Sequence, residues 1–369
     1  MTIRAPEYVT QIAPYQAGKP VSELAREYGL DESTIIKLAS NENPLGVPET
    51  ARNAMAQEVS ELGRYPDSNG FELKAALAKH YGVKPSQITL GNGSNDLLEL
   101  ATRALVQKGD SVVYSEHAFA VYMLASQAVG ARGIVVPAVN YGHDVSAMAA
   151  AIQDDTRLVF VANPNNPTGS FIPGEQIHDF LKAVPPSTVV VLDQAYDEYL
   201  EPSDRYSPTD WLGEFPNLIV TRTFSKVYGL AGLRIGFGIA SEYLTDLMNR
   251  VRQPFNTNSI AQAAAIAALG DSEFLKRSYE LNLTQRRRLE AAFTRMGLDY
   301  MPSKANFVMV NVGDGAGVSE QFLRRGIIVR PVGNYGLPDW IRVSVGLESE
   351  NTAFLSALAG ILNKPDPTA

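Results

Sequence analysis

Short apolar runs rich in β-branched residues alternate with longer amphipathic segments over about residues 50–270. The apolar runs predict strands and the amphipathic segments predict helices. The predicted strands lie at 87–90, 111–114, 133–137, 157–161, 188–192 and 218–222. The predicted helices lie at 69–81, 94–107, 118–129, 145–153, 174–183 and 241–251. Regular alternation of this kind predicts an α/β fold with a mainly parallel sheet covered by helices.

The pattern changes near residue 271. The elements predicted after this point are a long helix at 273–296, strands near 306–311, 327–331 and 340–345, and a final helix at 349–363. Strands and helices in this short span predict a smaller α+β domain. We therefore expect three parts, namely an N-terminal arm and helix over 1–40, a large domain over 41–270 and a small C-terminal domain over 271–369.

Composition and charge narrow the class of protein. A chain of 369 residues with 45% hydrophobic residues has room for about two domains with a large core. A net charge of −8 argues against a nucleic-acid partner. The first residues lack a cationic and then apolar signal pattern, and no run reaches the ~20 apolar residues of a membrane span. We therefore expect no membrane contact and a cytoplasmic location.

The inventory of reactive side chains is also informative. The chain has no cysteine, which excludes disulfides, a thiol nucleophile and thiolate metal sites. Its four histidines are not spaced like metal ligands. We therefore expect chemistry without a metal ion.

Two neighbouring predicted strands end in groups that suit one particular cofactor. The strand at 188–192 is followed by Asp193 and Tyr196, and the strand at 218–222 leads to Lys226. Open parallel sheets bind ligands at the carboxyl ends of their strands. A lysine amine there could condense with the aldehyde of pyridoxal phosphate, a carboxylate could pair with its pyridinium nitrogen, and a phenol could bond its ring oxygen.

Simpler interpretations of these residues remain open. Asp193 could cap a helix, and Lys226 could be a solvated surface amine. However, a carboxylate at the end of an apolar run is costly unless a cation pairs with it. Phe224 and a glycine-rich stretch flank Lys226, which favours a desolvated amine with a lowered pKa.

Two further segments could bind the phosphate of such a cofactor. The run 91–95 (Gly-Asn-Gly-Ser-Asn) opens a predicted helix, where glycines and free backbone amides suit an anion. An ordinary helix cap would explain the same residues. Arg234 could hold a phosphate through two hydrogen bonds, although a surface ion pair is the simpler role for an arginine.

The loop after the strand at 157–161 is unusually rich in polar and rigid residues. Its sequence over 163–169 is Asn-Pro-Asn-Asn-Pro-Thr-Gly, with two prolines that restrict the backbone and three amides that can donate and accept. We interpret it as part of a site. Phe119 or Tyr122, near the start of the helix at 118–129, could stack on a planar cofactor or simply belong to the core.

Several motifs occur together in a characteristic order. They are Asn-Glu-Asn-Pro at 41–44, Arg-Tyr-Pro-Asp at 64–67, Gly-Asn-Gly-Ser at 91–94, the loop at 163–169, Asp-Gln-Ala-Tyr at 193–196, Ser-Lys at 225–226, Gly-Leu-Ala-Gly-Leu-Arg at 229–234, and Tyr-Gly-Leu-Pro-Asp at 335–339 with Arg342. In these motifs the chain resembles the fold type I pyridoxal-phosphate aminotransferases over nearly its full length. Among them it is most similar to the histidinol-phosphate aminotransferases.

The resemblance implies pyridoxal 5'-phosphate as cofactor and assigns residues to it. Lys226 would bind the aldehyde and later carry the substrate proton, and Asp193 would keep the ring nitrogen protonated. With Tyr196, these form the implied catalytic set. The other implied cofactor contacts are Asn166 and Tyr196 to the ring oxygen, Phe119 on the ring face, and Ser94, Asn95, Thr223, Ser225 and Arg234 around the phosphate.

The resemblance also implies substrate contacts and an assembly. Arg342 is similar to the arginine that binds the substrate anion, and Arg330 to a second arginine that histidinol-phosphate enzymes add for the substrate phosphate. Tyr15 and Asn43 are similar to further substrate contacts. Tyr65 is similar to a tyrosine that reaches the phosphate of the neighbouring subunit, which implies a homodimer with shared active sites.

We therefore expect a ping-pong aminotransferase that acts on a small-molecule amino donor and a 2-oxo acid. The expected pair is histidinol phosphate and 2-oxoglutarate, in histidine biosynthesis. An aromatic amino acid aminotransferase is the nearest alternative, because the same pocket must accept a planar ring. Relatives that decarboxylate threonine phosphate are more distant.

A protein of another class would bind the cofactor without catalysis and act as a regulator. The presence of Lys226, Asp193 and Arg342 argues against it. Two residues depart from the pattern of many relatives, which have Glu in place of Gln194 and Pro in place of His117. Both departures lie near the implied cofactor contacts and bear on which substrate the chain uses.

Overall fold

The computed structural model describes residues 3–14 and 18–368, so Tyr15 lies outside the described residues. In this part of the chain no helix is both long and apolar enough to cross a membrane. The helices there, α1 to α13 in order, span Glu7–Thr10, Val21–Tyr28, Glu49–Glu58, Phe71–Tyr81, Ser94–Leu105, Ala120–Ala128, Val145–Ala150, Gly174–Ala183, Glu242–Val251, Ser259–Leu269, Ser272–Arg295, Gly315–Leu323 and Glu348–Leu362.

The strands form three sheets. Within the described ranges, β1 to β13 span Ile36–Lys37, Ile88–Gly91, Ser111–Ser115, Arg132–Val136, Thr156–Ala162, Val189–Asp193, Leu218–Thr223, Gly236–Ala240, Tyr300–Met301, Phe307–Asn311, Ile327–Ile328, Arg330–Pro331 and Trp340–Ser344. The large sheet has the order β2-β8-β7-β6-β5-β3-β4 and the small sheet the order β12-β13-β10-β9. β1 and β11 pair separately.

The large sheet is mainly parallel, as predicted. β4, β3, β5, β6 and β7 run parallel to one another, and only β8 is antiparallel to its neighbours β7 and β2. Helices cover both faces, and alternate residues of β6 belong to two separate clusters. Val190 and Leu192 pack in one cluster, and Val189 and Val191 pack in the other. Burial on both faces explains why the strands appear in the sequence as continuous apolar runs.

The sequence did not predict β8, which has the sequence Gly-Phe-Gly-Ile-Ala. Glycine is a poor strand former, so the segment gave no strand signal. The structure supplies the reason for Gly236, because a Cβ at this position would lie 2.6 Å from the backbone nitrogen of Ser94 and 2.9 Å from the carbonyl oxygen of Arg222. The start of α5 and the strand β8 are therefore in contact without an intervening side chain.

The C-terminal part differs from the prediction in three elements. The predicted strand at 327–331 is two strands with different partners, since β11 pairs in parallel with β1 and β12 pairs antiparallel with β13. The prediction of a single strand was wrong, because pairing with strands distant in the sequence leaves no pattern in the local sequence. The helix α12 and the short strand β9 were not predicted either.

The N-terminal arm packs on the C-terminal part of the chain. Leu24 of α2, Ala39 and Ile328 of β11 share one buried cluster. The long helix α11 connects the two main cores, because Leu275 packs against the core of the large sheet and Leu289 lies in the core of the small sheet. The division of the chain at residues 41 and 271 stays a prediction.

Six strands of the large sheet have their carboxyl ends at one edge. β2 and β7 are both antiparallel to β8, so β2 runs in the same direction as the five parallel strands. The carboxyl ends of β2, β5, β6 and β7 therefore lie at the same edge, with β8 between β2 and β7. β12 and β13 of the small sheet contribute further residues to a pocket at this edge.

Candidate active site

The pocket brings together most of the predicted site residues. Those that line it are Ser94, Asn95, Phe119, Asn166, Asp193, Tyr196, Thr223, Ser225, Lys226, Arg234, Arg330 and Arg342. The pocket is also lined by Ser40, Asn41, Tyr122 and Tyr335. The chain thus converges on this edge from the arm, from four strand ends of the large sheet and from the small sheet.

Lys226 is partly buried just beyond the end of β7. Its Nζ donates to the carbonyl oxygen of Ser40 at 3.1 Å and lies 5.7 Å from the ring centroid of Tyr196. Burial, assisted by the positive charge of Arg342, lowers the pKa of Lys226 to about 7. A substantial fraction of neutral amine is therefore present near pH 7, and the neutral amine is the nucleophilic form.

This lowered pKa predicts a pH-dependent stability of the protein without cofactor. Lysine in an unfolded chain titrates near pH ~10.4, so between pH 7 and 10 the folded state binds fewer protons than the unfolded state. The loss of folding free energy caused by burying Lys226 is therefore largest below pH 7 and disappears as the pH approaches 10. We expect Lys226→Met to raise stability relative to wild type more at pH 6.5 than at pH 9.5.

Urea unfolding of both proteins, freed of cofactor, at the two pH values measures this difference. The comparison with wild type cancels the titration of all other groups, because they are common to both proteins. A stability difference that does not change with pH would mean that Lys226 titrates like a solvated lysine.

Asp193 is the last residue of β6, and its carboxylate is buried. Tyr122 donates to Oδ2 at 2.9 Å, and Thr221 donates to Oδ1 at 3.1 Å. Burial raises the pKa of Asp193, against the effect of these donors. A cation at the pocket side would stabilise the charged form, and a protonated ring nitrogen is such a cation.

The environment of Tyr122 decides between the two aromatic residues considered for stacking. Its ring lies flat against Phe160 at 4.6 Å and edge-on to Phe119 at 5.9 Å. Its hydroxyl bonds Asp193, so Tyr122 orients the carboxylate from within the core. Phe119 lines the pocket and is only partly buried, which leaves it as the candidate for stacking on a ring.

Tyr196 is held by contacts on two sides. Nδ2 of Asn41 donates to its hydroxyl at 3.0 Å, and its ring packs edge-on against Phe307 at 5.2 Å. Burial raises the pKa of Tyr196 to about 12. The phenol therefore keeps its proton at neutral pH and can donate it in a hydrogen bond to a ligand oxygen.

An anion cradle lies at the start of α5. The helix begins at Ser94, where the first backbone amides have no partner within the helix. Nη1 of Arg234 donates to Oγ of Ser225 at 3.3 Å, and the amide of Ser225 donates to Oγ1 of Thr223 at 3.1 Å. A Cβ at Gly93 would lie 2.4 Å from Nη2 of Arg234, so a side chain there would displace the guanidinium. These groups fit a phosphate.

Two arginines form the opposite wall. Arg330 of β12 and Arg342 of β13 are directly paired across the antiparallel ladder. Arg342 donates to Oδ1 of Asn166 and, at 2.9 Å, to the carbonyl oxygen of Ala39. Arg330 is partly buried and lines the pocket, in contrast to the surface position considered for it. Two adjacent guanidinium groups can bind one dianion or two separate carboxylates.

Asn43 lies in a different environment from the one that its predicted role requires. Its Nδ2 donates at 2.8 Å to the carbonyl oxygen of Val227 and at 2.8 Å to Oγ of Ser278, which ties the chain to α11. Asn41, two positions earlier in the same motif, lines the pocket and bonds Tyr196. The sequence analysis singled out the motif but did not assign a role to Asn41. A substrate contact by Asn43 stays a prediction.

Tyr65 lies on the surface of its own chain. Its side chain is 82% exposed and stacks on Phe255 at 4.6 Å. The contact predicted for it, to the site of a second subunit, stays a prediction.

Gln194, which stands where many relatives have Glu, does not line the pocket. Its Nε2 donates to Oδ1 of Asp197 at 2.9 Å, and its Oε1 accepts from Nη2 of Arg222 at 2.9 Å. Arg222 also pairs with Asp197 at 2.7 Å and with Glu198 at 3.1 Å. Gln194 therefore supports a buried ion-pair network next to the pocket.

A ligand that satisfies the three parts of this pocket needs an electrophilic carbon for Lys226, a basic ring nitrogen for Asp193 and a phosphate for the cradle at α5. Pyridoxal phosphate has all three. The fold and the pocket together thus define a pyridoxal-phosphate-dependent transferase of fold type I. The chain belongs to the class I and II aminotransferases, and the family model matches residues 33–358.

Similar proteins agree with this class. Histidinol-phosphate aminotransferase 1 of Cupriavidus pinatubonensis is 62% identical to the chain over 357 residues, which are 96% of the chain and 95% of that protein. Histidinol-phosphate aminotransferase 2 of Ralstonia nicotianae is 60% identical over 368 residues, 99% of the chain and 98% of that protein. The crystal structure of histidinol-phosphate aminotransferase from Sinorhizobium meliloti in complex with pyridoxal-5'-phosphate has a TM-score of 0.90 at 31% identity, with 98% of each chain covered.

Proposed function

We propose that the chain is a histidinol-phosphate aminotransferase. In this proposal it uses pyridoxal phosphate to move an amino group between histidinol phosphate and 2-oxoglutarate in histidine biosynthesis. The observation that carries the proposal is the pairing of Arg330 and Arg342 in the wall of the pocket that contains Lys226. The names of the similar proteins support it.

The two arginines suit the charges of both substrates. Histidinol phosphate has an amine at one carbon and a phosphate close to it, with no carboxylate. Glutamate, the amino donor that corresponds to 2-oxoglutarate, has two carboxylates. Arg330 and Arg342 are neighbours in the sheet, so they can bind a phosphate together or one carboxylate each.

Each residue around the cofactor would have a separate role in the reaction. When bound, pyridoxal phosphate supplies an aldehyde that condenses with amines and a ring that accepts electrons from the neighbouring bond. Nζ of Lys226 would remove the proton from the substrate Cα and return it on the other side of the reaction. Asp193 would hold the proton on the ring nitrogen, and Tyr196 would donate a hydrogen bond to the ring oxygen. The cradle at α5 would hold the phosphate.

We also propose a homodimer with shared active sites. Tyr65 and Phe255 form an aromatic pair at the surface, with exposed fractions of 82% and 43%. An exposed pair of this kind gains by burial against a second chain. In the proposed dimer, Tyr65 reaches the cofactor phosphate of the partner subunit.

Replacing Arg330 tests the substrate. We expect Arg330→Ala to reduce kcat/KM for histidinol phosphate much more than for phenylalanine, because it removes a charged partner from the phosphate. The loss corresponds to roughly 2–4 kcal/mol, which is about 30-fold to 1000-fold in kcat/KM. Initial rates of both donors with 2-oxoglutarate as acceptor measure the effect.

Arg324→Ala is a matched control, because Arg324 is an exposed arginine at the end of α12 that pairs only with Glu320 of its own helix in the described contacts. It should leave both rates unchanged. Equal losses on the two donors in Arg330→Ala would remove the phosphate role. A wild-type enzyme that prefers phenylalanine would favour the aromatic amino acid aminotransferase.

A further inference from the structure

The two arginines of the pocket belong to one hairpin. We use the name arginine hairpin for residues 330–344, which comprise β12, a 3-10 turn at Gly333–Tyr335 and β13. Its strands pair Arg330 with Arg342. The position of this hairpin relative to the large sheet therefore sets the distance from the bound anion of the substrate to Lys226.

The turn of the arginine hairpin forms a hydrogen bond with a histidine in the loop between β3 and α6. Nδ1 of His117 lies 2.8 Å from the carbonyl oxygen of Tyr335. His117 lies after β3 and just before α6, and its side chain is buried. A carbonyl oxygen can only accept a hydrogen bond, so the hydrogen must be on Nδ1.

The backbone of His117 is held from the other direction. Its carbonyl oxygen accepts from Nδ2 of Asn165 at 2.7 Å. The next residue, Asn166, accepts from Arg342 in the arginine hairpin. These contacts form a closed network. It leads from His117 to Tyr335, along the hairpin to Arg342, and back to His117 through the loop at 163–169.

Aromatic side chains also pack against this network of contacts. The ring of Tyr141 lies 6.1 Å from the ring of His117 and 5.4 Å from that of Trp340, the first residue of β13. Tyr141 follows Asn140, and both have the left-handed backbone (φ 63° and 49°) of a tight turn. Tyr141 therefore contacts both His117 and the start of β13 in the arginine hairpin.

We propose that His117 is a positioning residue for the substrate anion. It acts through Tyr335 and holds the arginine hairpin at the distance that histidinol phosphate requires, a role that rests on the proposed function. Loss of the Nδ1 hydrogen bond would remove this link between the turn and the loop that contains His117, and would let the hairpin move away from Lys226. The consequence is weaker binding of anionic substrates with little change in the chemical step.

Two substitutions separate the hydrogen bond from the packing. His117→Phe keeps a ring of similar size and removes the donor. His117→Asn keeps a donor near the position of Nδ1 and removes most of the ring. His178→Asn is a control for the loss of a histidine, because His178 is on α8 beside Glu214 and Trp211, outside the pocket lining.

We expect His117→Phe to raise the KM for histidinol phosphate about tenfold, with kcat within about twofold of wild type. His117→Asn should restore the KM to within about twofold, and His178→Asn should match wild type. Inorganic phosphate, used as a competitive inhibitor, probes the anion site directly. Its inhibition constant should rise by the same factor as the KM in His117→Phe.

A spectroscopic measurement tests the contact without catalysis. The chain has only four histidines, so 15N-histidine labelling gives few ring signals, and His117→Phe assigns one of them. We expect the His117 signals to show a hydrogen on Nδ1. A neutral ring with its hydrogen on Nε2 would overturn the contact.

The remaining outcomes are also decisive. An unchanged KM and inhibition constant in His117→Phe would overturn the proposal, and so would a lower melting temperature and kcat at unchanged KM, which indicate a merely structural role. If the wild-type enzyme does not use histidinol phosphate, the proposed substrate is wrong. The comparison with glutamate as donor then still decides the role of His117, because its carboxylates require the same arginines.

Discussion

Lys226→Ala is expected to lower the turnover number by at least ~10⁴-fold, the largest effect of any single substitution. In the proposed mechanism, the variant loses both the nucleophile for the cofactor aldehyde and the base for the substrate proton. The neighbours of Lys226 cannot replace it, because the nearby phenol of Tyr196 has its pKa raised to about 12 by burial and Arg342 stays protonated. Steady-state rates with glutamate and 2-oxoglutarate measure the loss.

The same variant tests whether the cofactor binds covalently to Lys226, as the enzyme requires. Wild-type protein should have a visible absorbance band that borohydride removes, with the reduced label on the peptide that contains Lys226. Lys226→Ala should lack the label. Lys226→Arg is the control for charge, since it keeps a cation without a nucleophilic amine and should be equally inactive. If the wild-type protein had neither the band nor the label, the assignment as a pyridoxal-phosphate enzyme would be wrong.

Small amines provide a second control. Ethylamine can enter the space left by the lysine side chain and accept a proton in its place. We expect added ethylamine to restore part of the activity of Lys226→Ala and to leave the wild-type rate unchanged. A variant that retains more than about a tenth of wild-type activity without added amine would contradict the role of Lys226.

Asp193→Asn is expected to have the second largest effect, a loss of roughly 10²–10⁴-fold in kcat. An amide has no negative charge to keep the ring nitrogen protonated, so the ring would accept electrons less well. The side chain keeps its shape, and its amide oxygen still accepts from one of the two hydroxyls of Tyr122 and Thr221. The other hydroxyl then has to rotate and accept from the amide nitrogen. Single-turnover rates with glutamate isolate the affected half of the reaction.

The stability of Asp193→Asn distinguishes a chemical defect from misfolding. Burial raises the pKa of Asp193, so the charged carboxylate is a cost to the folded protein at every pH above its unfolded pKa near ~3.9. Without cofactor, the variant should therefore be at least as stable as wild type at pH 7. Activity within tenfold of wild type, at normal cofactor content, would show that the carboxylate does not control the ring.

The strand ends explain why so much of the site was predictable. Asp193 closes an apolar strand that is buried on both faces, and Lys226 follows the next strand, so the chemistry is next to the clearest pattern in the sequence. Parallel strands bring such residues to one edge without information from distant parts of the chain. The mainly parallel sheet and the place of the pocket at its edge both follow from this rule.

The features that were missed depend on contacts between distant residues. His117 and Tyr335 are 218 positions apart, and nothing near either residue indicates the other. The split of the predicted strand at 327–331 has the same origin, because β1 from the N-terminal arm supplies a partner. Asn41 was not singled out, because the motif does not reveal which of its side chains line the pocket.

The close contact between Gly236 and Ser94 has a consequence for protein engineering. Most positions around a pocket tolerate some variation, but here the cradle is shaped by atoms that are missing at Gly93 and Gly236. Random mutagenesis would therefore find almost no acceptable residues at these two sites. Libraries designed to change the substrate should keep both glycines and diversify the turn of the arginine hairpin, which contributes Tyr335 to the pocket wall.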